Sequence, residues 1–283
     1  MTERHPCARP RAHKPASRRP RRAAPCGGVV LAALLLAAPA GAESADKQTG
    51  VMQPEALEAF ERMSTYLGEA DTISFTTTAM RESATPSGSK HITGRSAAIV
   101  IRRPDSFHAR IERDDGRESR VWFDGTTLAM AVADGEGTRY ATLAVPDEAK
   151  TIDGLLDHLI DEYDFVLQLG DLMYSDVKAT LGDALLSAVH LGRKVVDGRP
   201  CHHLSLEFAG ADAQLWVQDG DDPAPCRWAF VLREEPSEPL FVSSFDAWVT
   251  NPAVDPALFS FAAPPGATEV DAATLLSASA QGE

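Results

Sequence analysis

Residues 188–208 read AVHLGRKVVDGRPCHHLSLEF, and their patterning decides the fold. Ala188 to Val196 is an extended run, and Asp197 and Gly198 are the turn pair. Arg199 to Phe208 then returns with Leu204, Leu206 and Phe208 opposed to His203, Ser205 and Glu207. Alternation at a period of two on either side of Asp-Gly marks an antiparallel hairpin buried on one face. The same period recurs in both directions. Downstream, Leu215 and Val217 alternate with Gln214, Trp216 and Gln218, Asp219 to Pro225 makes a long turn, and Trp228, Phe230 and Leu232 begin a strand whose partner is Leu240 to Val249. Upstream, Ile73, Phe75 and Thr77, then Ala97, Ile99 and Ile101, then Phe107, Ala109 and Ile111 each hold one face; Val121 and Phe123 alternate with Arg120, Trp122 and Asp124. Turn residues at Pro86 to Gly88, Pro104 and Asp105, Asp114 to Gly116, and Asp124 and Gly125 separate these runs, the last leading into Thr126 to Ala133.

Elsewhere the period changes. From Pro54, Leu57, Phe60, Met63 and Leu67 recur every three or four residues with Glu55, Glu58, Glu61 and Arg62 between them, an amphipathic helix with proline in its first turn. Ile152, Leu155, Leu156, Leu159, Ile160 and Tyr163 repeat likewise. Two or three short helices are expected between Thr151 and Ser187, apolar enough that at least one is buried against the sheet. Asn251 to Pro265 is expected to be extended and packed down by Leu258, Phe259 and Phe261, and the residues from Asp271 onward are expected to fray.

The N-terminus has its own logic. The first 28 residues carry eight basic side chains against Glu3 alone, and the apolar run Val29 to Ala38 follows. That run is shorter than the roughly 20 residues needed to span a bilayer but suits a signal peptide, and Ala40 and Ala42 mark processing between Ala42 and Glu43. Residues 1–42 are therefore read as a signal peptide, 43–53 as a flexible linker, 54–270 as the folded domain and 271–283 as a tail. General secretion and twin-arginine export both remain open, and an uncleaved anchor is the alternative. No membrane span is expected after processing. The whole chain carries a net charge of −14, which becomes −21 without residues 1–42. Nucleic acid and anionic membrane surfaces draw on Lys and Arg, so neither suits the domain as a whole.

After processing, two cysteines remain, Cys201 and Cys226, in a compartment where disulfides persist. A bridge stays open at this point, because the first and third strands of a meander lie about 10 Å apart. Signatures for zinc proteases, serine hydrolases, phosphate loops and dinucleotides are absent, and no cofactor is called for. His202 and His203 are neighbours on a strand, so they face opposite sides and do not grip one metal ion. Asp114 and Asp115, and Asp219, Asp221 and Asp222, fall in turns, where Asp binds its own backbone.

The run Val196-Asp197-Gly198-Arg199-Pro200-Cys201-His202-His203-Leu204, with Leu215-Trp216-Val217, Pro225 and the ending Leu258-Phe259-Ser260-Phe261-Ala262-Ala263-Pro264-Pro265-Gly266-Ala267, resembles a family of predicted periplasmic proteins. That family is similar to the LolA/LolB-like lipoprotein carriers. The resemblance covers about Pro54 to Val270 and includes no catalytic residue. It implies a mainly β fold, a strongly curved antiparallel sheet forming an unclosed half-barrel, with helices across the concave face and an apolar cavity between.

The resulting expectation is a non-enzymatic periplasmic protein that binds a lipid, acyl chain or other hydrophobic small molecule. Phe75, Ile99, Ile101, Phe123, Leu155, Leu159, Leu204, Leu206, Phe208, Leu215 and Phe230 are its candidate lining. A periplasmic interaction or sensing module, docking an envelope protein through its acidic face and holding no small ligand, is the alternative. An enzyme using scattered residues is a third.

Overall fold

A computed structural model describes residues 50–281 apart from 168, 183, 234 and 236, so the expected signal peptide and its expected cleavage site at Ala42 and Glu43 lie outside the described residues. The Asp197-Gly198 turn is as the sequence requires: both residues have positive φ, 50° and 80°, the twist that suits a two-residue hairpin. It joins β7 (Leu185–Val196) to β8 (Arg199–Phe208). β9 (Ala211–Gln218), β10 (Pro225–Leu232) and β11 (Leu240–Thr250) continue the meander.

In the other half, β1 (Thr72–Ala84), β2 (Lys90–Arg102), β3 (Ser106–Arg113), β4 (Glu118–Phe123), β5 (Thr127–Asp134) and β6 (Gly137–Ala144) pair antiparallel in sequence order. β6 lies outside the strands expected from alternation; only Ala141 and Leu143 mark its apolar phase, and Arg139 interrupts it. β1 and β11 zip the halves into one twelve-stranded sheet, completed by β12 (Thr268–Glu269), in the order β12-β6-β5-β4-β3-β2-β1-β11-β10-β9-β8-β7. The end strands do not meet, so the half-barrel is unclosed. Register shifts in β1/β11, β9/β10 and β7/β8 supply local bends.

The helices occupy one face. α1 (Pro54–Gly68) starts on proline and buries Ala56, Phe60, Met63 and Leu67. α2 (Ile152–Tyr163) is capped by the Thr151 hydroxyl, which accepts from the Gly154 amide at 3.1 Å, and buries Ile152, Leu155, Leu156 and Leu159. α3 (Val177–Gly182) is short. These side chains share one apolar cluster with the inner faces of both half-sheets. The opposite face of β4 to β6 holds a separate small cluster, where Phe261 packs on Trp122 and Tyr140, as the expected packing role of Phe261 requires.

Two expectations are corrected. Asn251 to Pro265 is not extended throughout: Pro256–Phe259 forms a 3₁₀ helix, which Asp255 caps by accepting from the Ala257 amide at 2.9 Å. Among the described residues the chain after Asp271 is helical: β12 pairs parallel with β6, and α4 (Ala272–Gln281) follows with Leu275 and Leu276 buried in the main cluster. Two leucines in a short stretch of small and polar residues are a weak periodic signal, and the burial comes from the path of the chain around the sheet edge.

Cys201 and Cys226 are bridged, with Cα atoms 6.9 Å apart. The regular meander spacing is broken at this point, because β10 carries a bulge between Pro225 and Arg227 with Cys226 as its extra residue, opposite Val217 and Trp216 near the end of β9 where Cys201 pairs with Gln218. A closed loop with a separation of 25 residues restrains the unfolded chain by about 3 kcal/mol. Urea unfolding of Cys201→Ser/Cys226→Ser should show a loss of about that size; unchanged stability would mean that the bridge does not form. Truncation after Val270 should cost about 3 to 5 kcal/mol through Leu275 and Leu276, measured in the same way, whereas a frayed tail would cost nothing.

Candidate ligand-binding cavity

The registers of β1 to β6 line up side chains of one parity across six strands. Ile73, Ile101, Phe107, Phe123, Leu128 and Leu143 form the deepest inward layer. Phe75, Ile99, Ala109, Val121, Met130 and Ala141 form the second, and Thr77, Ala97, Ile111, Ser119, Val132 and Arg139 the third. Exposure rises along the strands. Phe107 and Phe123 are fully buried, while Ile111, Ser119 and Val132 are half-buried.

Large side chains fill the deepest layer, where the Phe107 and Phe123 rings are 5.8 Å apart. Above it Thr77, Ala79, Ala97, Ala109 and Ser119 are short, and a cavity of about 140 Å³ remains. Ile99, Ile111, Val121, Met130 and Val132 complete its wall, and Phe165, Leu167, Leu169, Met173 and Leu275 close the facing side. At the wetter end it is rimmed by Arg95, Arg113, Arg117 and Arg139. Among the described residues, no carboxylate lines it.

The facing segment is held at both ends. Asp164 ends α2 in the left-handed region (φ 50°), and the Phe165 amide donates to the Leu159 carbonyl at 3.1 Å. Past the cavity, Arg103 donates to the carbonyls of Met173 and Tyr174 at 2.9 and 3.0 Å, and the Ser175 amide donates to Asp153 at 3.0 Å. Tyr174 also donates its hydroxyl to Asp157 at 2.8 Å.

At the rim, Arg117 donates through Nε to Asp115 at 2.8 Å and through its amide at 3.0 Å, and Arg113 stands 3.6 Å from the same carboxylate. The Arg117 side chain first, then its backbone amide, hold the Asp115 carboxyl down at about 2. Arg139 pairs with Asp134 at 2.7 Å, and Asp114 accepts from the Gly94 amide at 2.6 Å. The acidic turn at Asp114 and Asp115 thus binds backbone and arginine.

Of the eleven residues expected to line a pocket, Ile99 lines this one. Ile101 and Phe123 lie in the packed layer beneath, and Phe75 is stacked on Trp248 at 4.3 Å. Leu155 and Leu159 are on the buried side of α2. Leu204, Leu206 and Leu215 are fully buried core residues on β8 and β9, and Phe208 and Phe230 are half-buried at its margin. Strand parity separates inward from outward positions, but which inward positions stay unfilled depends on how the helices cover them. The rim arginines were missed although parity marks them: Arg95 is in phase with Ala97 and Ile99, Arg113 with Ile111 and Ala109, and Arg117 with Ser119 and Val121.

His202 and His203 part as alternation requires. His202 contacts His190 and Asp219 at 3.1 Å each, while His203 meets Gln214 at 2.9 Å and stacks on Trp216. Asp219 also pairs with Arg193 at 3.1 Å. Among the described residues, no group of three or more His, Cys, Asp or Glu side chains is placed to hold a metal ion, and no helix is long and apolar enough to cross a membrane.

The family described as predicted periplasmic protein (DUF2092) matches residues 56–273, and the chain belongs to it; the protein is periplasmic. No curated protein sequence matches the chain. Among solved structures, it is similar to MucB (15% identity over 76% of this chain and 65% of that one, TM-score 0.40). It therefore spans less than two thirds of MucB. It is also similar to the Mycobacterium tuberculosis lipoprotein LppX (12%, 71% and 98%, TM-score 0.40) and a LolA superfamily protein from Nitrosomonas europaea (12%, 73% and 97%, TM-score 0.37).

The Asp115–Arg117 contact has a pH signature. Because the carboxyl of the folded protein lies below the ordinary range near 3.9, its contribution is present above that range and lost as pH falls through about 2. An NMR titration should follow Asp115 ionised down to about pH 2; a midpoint near 4 would mean that the contact is not made in solution.

Proposed function

We propose that this periplasmic protein binds the hydrocarbon part of a lipid or similar apolar molecule in the cavity of the first half-sheet, without chemistry. The observation that carries this reading is an apolar hollow open to solvent at one end and walled by short side chains. Its volume of about 140 Å³ is close to that of an engineered apolar void of about 150 Å³ that takes up benzene. About five methylenes inside would contribute roughly 4 kcal/mol, a useful anchor for one chain. The LolA-like resemblance agrees with this reading at the level of the family's general architecture.

Ala109 is the residue to change, since it forms part of the wall. Ala109→Phe should fill the hollow and weaken binding of a fluorescent acyl probe by about ten-fold or more, with the unfolding transition retained. Wild-type probe binding in a folded Ala109→Phe variant would overturn the assignment. Leu206→Asp is no substitute, because Leu206 is a core residue and the change tests folding. Native mass spectrometry of envelope-purified protein, followed by solvent extraction, should release an apolar molecule. A protein that carries none and instead captures an envelope protein in a salt-sensitive way would favour the interaction-module reading.

A further inference from the structure

The outward faces of β3 and β4 are electrically balanced. Arg110 pairs with Glu112 and Glu118 at 2.7 and 2.9 Å, and Arg120 with Glu118 at 2.7 Å. The inward positions of the same strands end differently. Where the apolar layers stop, the cavity wall carries Arg95, Arg113, Arg117 and Arg139 and, among the described residues, no acid. Arg95 and Arg113 are register partners, so two guanidinium side chains stand side by side on β2 and β3 at the cavity rim, with Asp115 3.6 Å from Arg113. Asp115 and Asp134 hold Arg117 and Arg139 from outside the wall and fix where those guanidinium groups stand. Beside the cavity, Arg81 joins Arg95 and Arg113 around a small cleft; it pairs through Nη2 with Glu235 at 3.3 Å, while its Nε is buried without a hydrogen-bond partner among the described residues. All five are arginine, whose planar fork matches carboxylate and phosphate oxygens. In a chain this acidic, the cavity wall itself presents guanidinium groups while their carboxylate partners lie outside it.

We propose that the cavity's guest is an anionic amphiphile, an acyl chain ending in a carboxylate or phosphate, with its tail in the apolar layers and its head among the rim arginines. This rests on the apolar-guest reading above and adds the chemistry of the head. The tail is held by wall residues that do not discriminate between heads. The head is held by charge-assisted hydrogen bonds, so selectivity resides in the rim and falls with salt.

The test compares ligands of one chain length on the mature protein, below their micellar concentrations: dodecanoate, dodecyl phosphate and dodecanol, with acetate and inorganic phosphate as heads without tails. Both anionic amphiphiles should bind at least about ten-fold more tightly than dodecanol at low salt. Acetate and inorganic phosphate should bind far more weakly than either. Arg95→Gln/Arg113→Gln should bring the anionic ligands to the level of dodecanol while leaving dodecanol unchanged. Arg139→Gln, at an exposed position, gives the same comparison if the double variant does not fold. Equal binding of dodecanoate and dodecanol to the wild type would overturn the head assignment and leave the apolar guest standing. Failure of all three amphiphiles would remove the apolar-guest reading itself. Inorganic phosphate binding as well as dodecyl phosphate would make the rim a plain anion site and overturn the proposal.

Discussion

Pairing in strict register is the constraint from which the rest of the first half-sheet follows. Successive side chains on a strand point to opposite faces, so once Ile101 faces Phe107 and Phe107 faces Phe123, every second residue along each strand is committed to the same side. The layers are the consequence, and with them the gradient from phenylalanine at the closed end to arginine at the open end. A slip of one residue in β3 would put Arg110 and Glu112 inward and Ala109 and Ile111 outward, exchanging the apolar wall for the ion pairs.

An open sheet must also deal with its two edges, where unpaired backbone groups invite association. The chain uses its own ends. At β7, Met52 bridges to Ala188, the Gln53 amide donates to the Ala188 carbonyl at 2.9 Å, and the Ala188 amide donates to Val51 at 2.7 Å. At β6, β12 pairs in parallel and delivers α4 to the inner face, where Leu275 becomes part of the cavity wall. Edge protection and cavity closure on that side are therefore one device, and this is what holds α4 in place.

The same distinction explains how much was legible in the sequence. Alternation around Asp197-Gly198 and the other turn pairs is local information, and it identified nearly every strand; β6 escaped because Arg139 occupies an inward position where an apolar residue would have shown the phase. Helix periodicity likewise located α1 and α2 with their buried faces. The cavity wall was legible only in part. Leu204, Leu206 and Leu215 carry the same alternating signal as Ile99, but on β8 and β9 the space above them is filled and on β2 it is not. That difference is set by Phe165 to Met173 and Leu275, residues distant in sequence from the strands they cover. The Cys201–Cys226 bridge was undecided for a related reason: its geometry depends on a bulge, and a bulge leaves little trace in composition.

An apolar void has an energetic consequence that bears on why it persists. Protein interiors are close-packed, and leaving a hollow of about 140 Å³ unfilled costs on the order of 3 kcal/mol, comparable to what the disulfide contributes. Larger side chains at Ala97 or Ala109 would recover part of that loss without disturbing the registers, since both already face inward. Arg95 and Arg113, register partners, stand at the rim of the same hollow. An apolar hollow and a convergence of guanidinium groups held from outside its wall occur together in one cavity. A guest with an apolar tail and an anionic head matches both at once, which is the physical argument for reading the two features as one site.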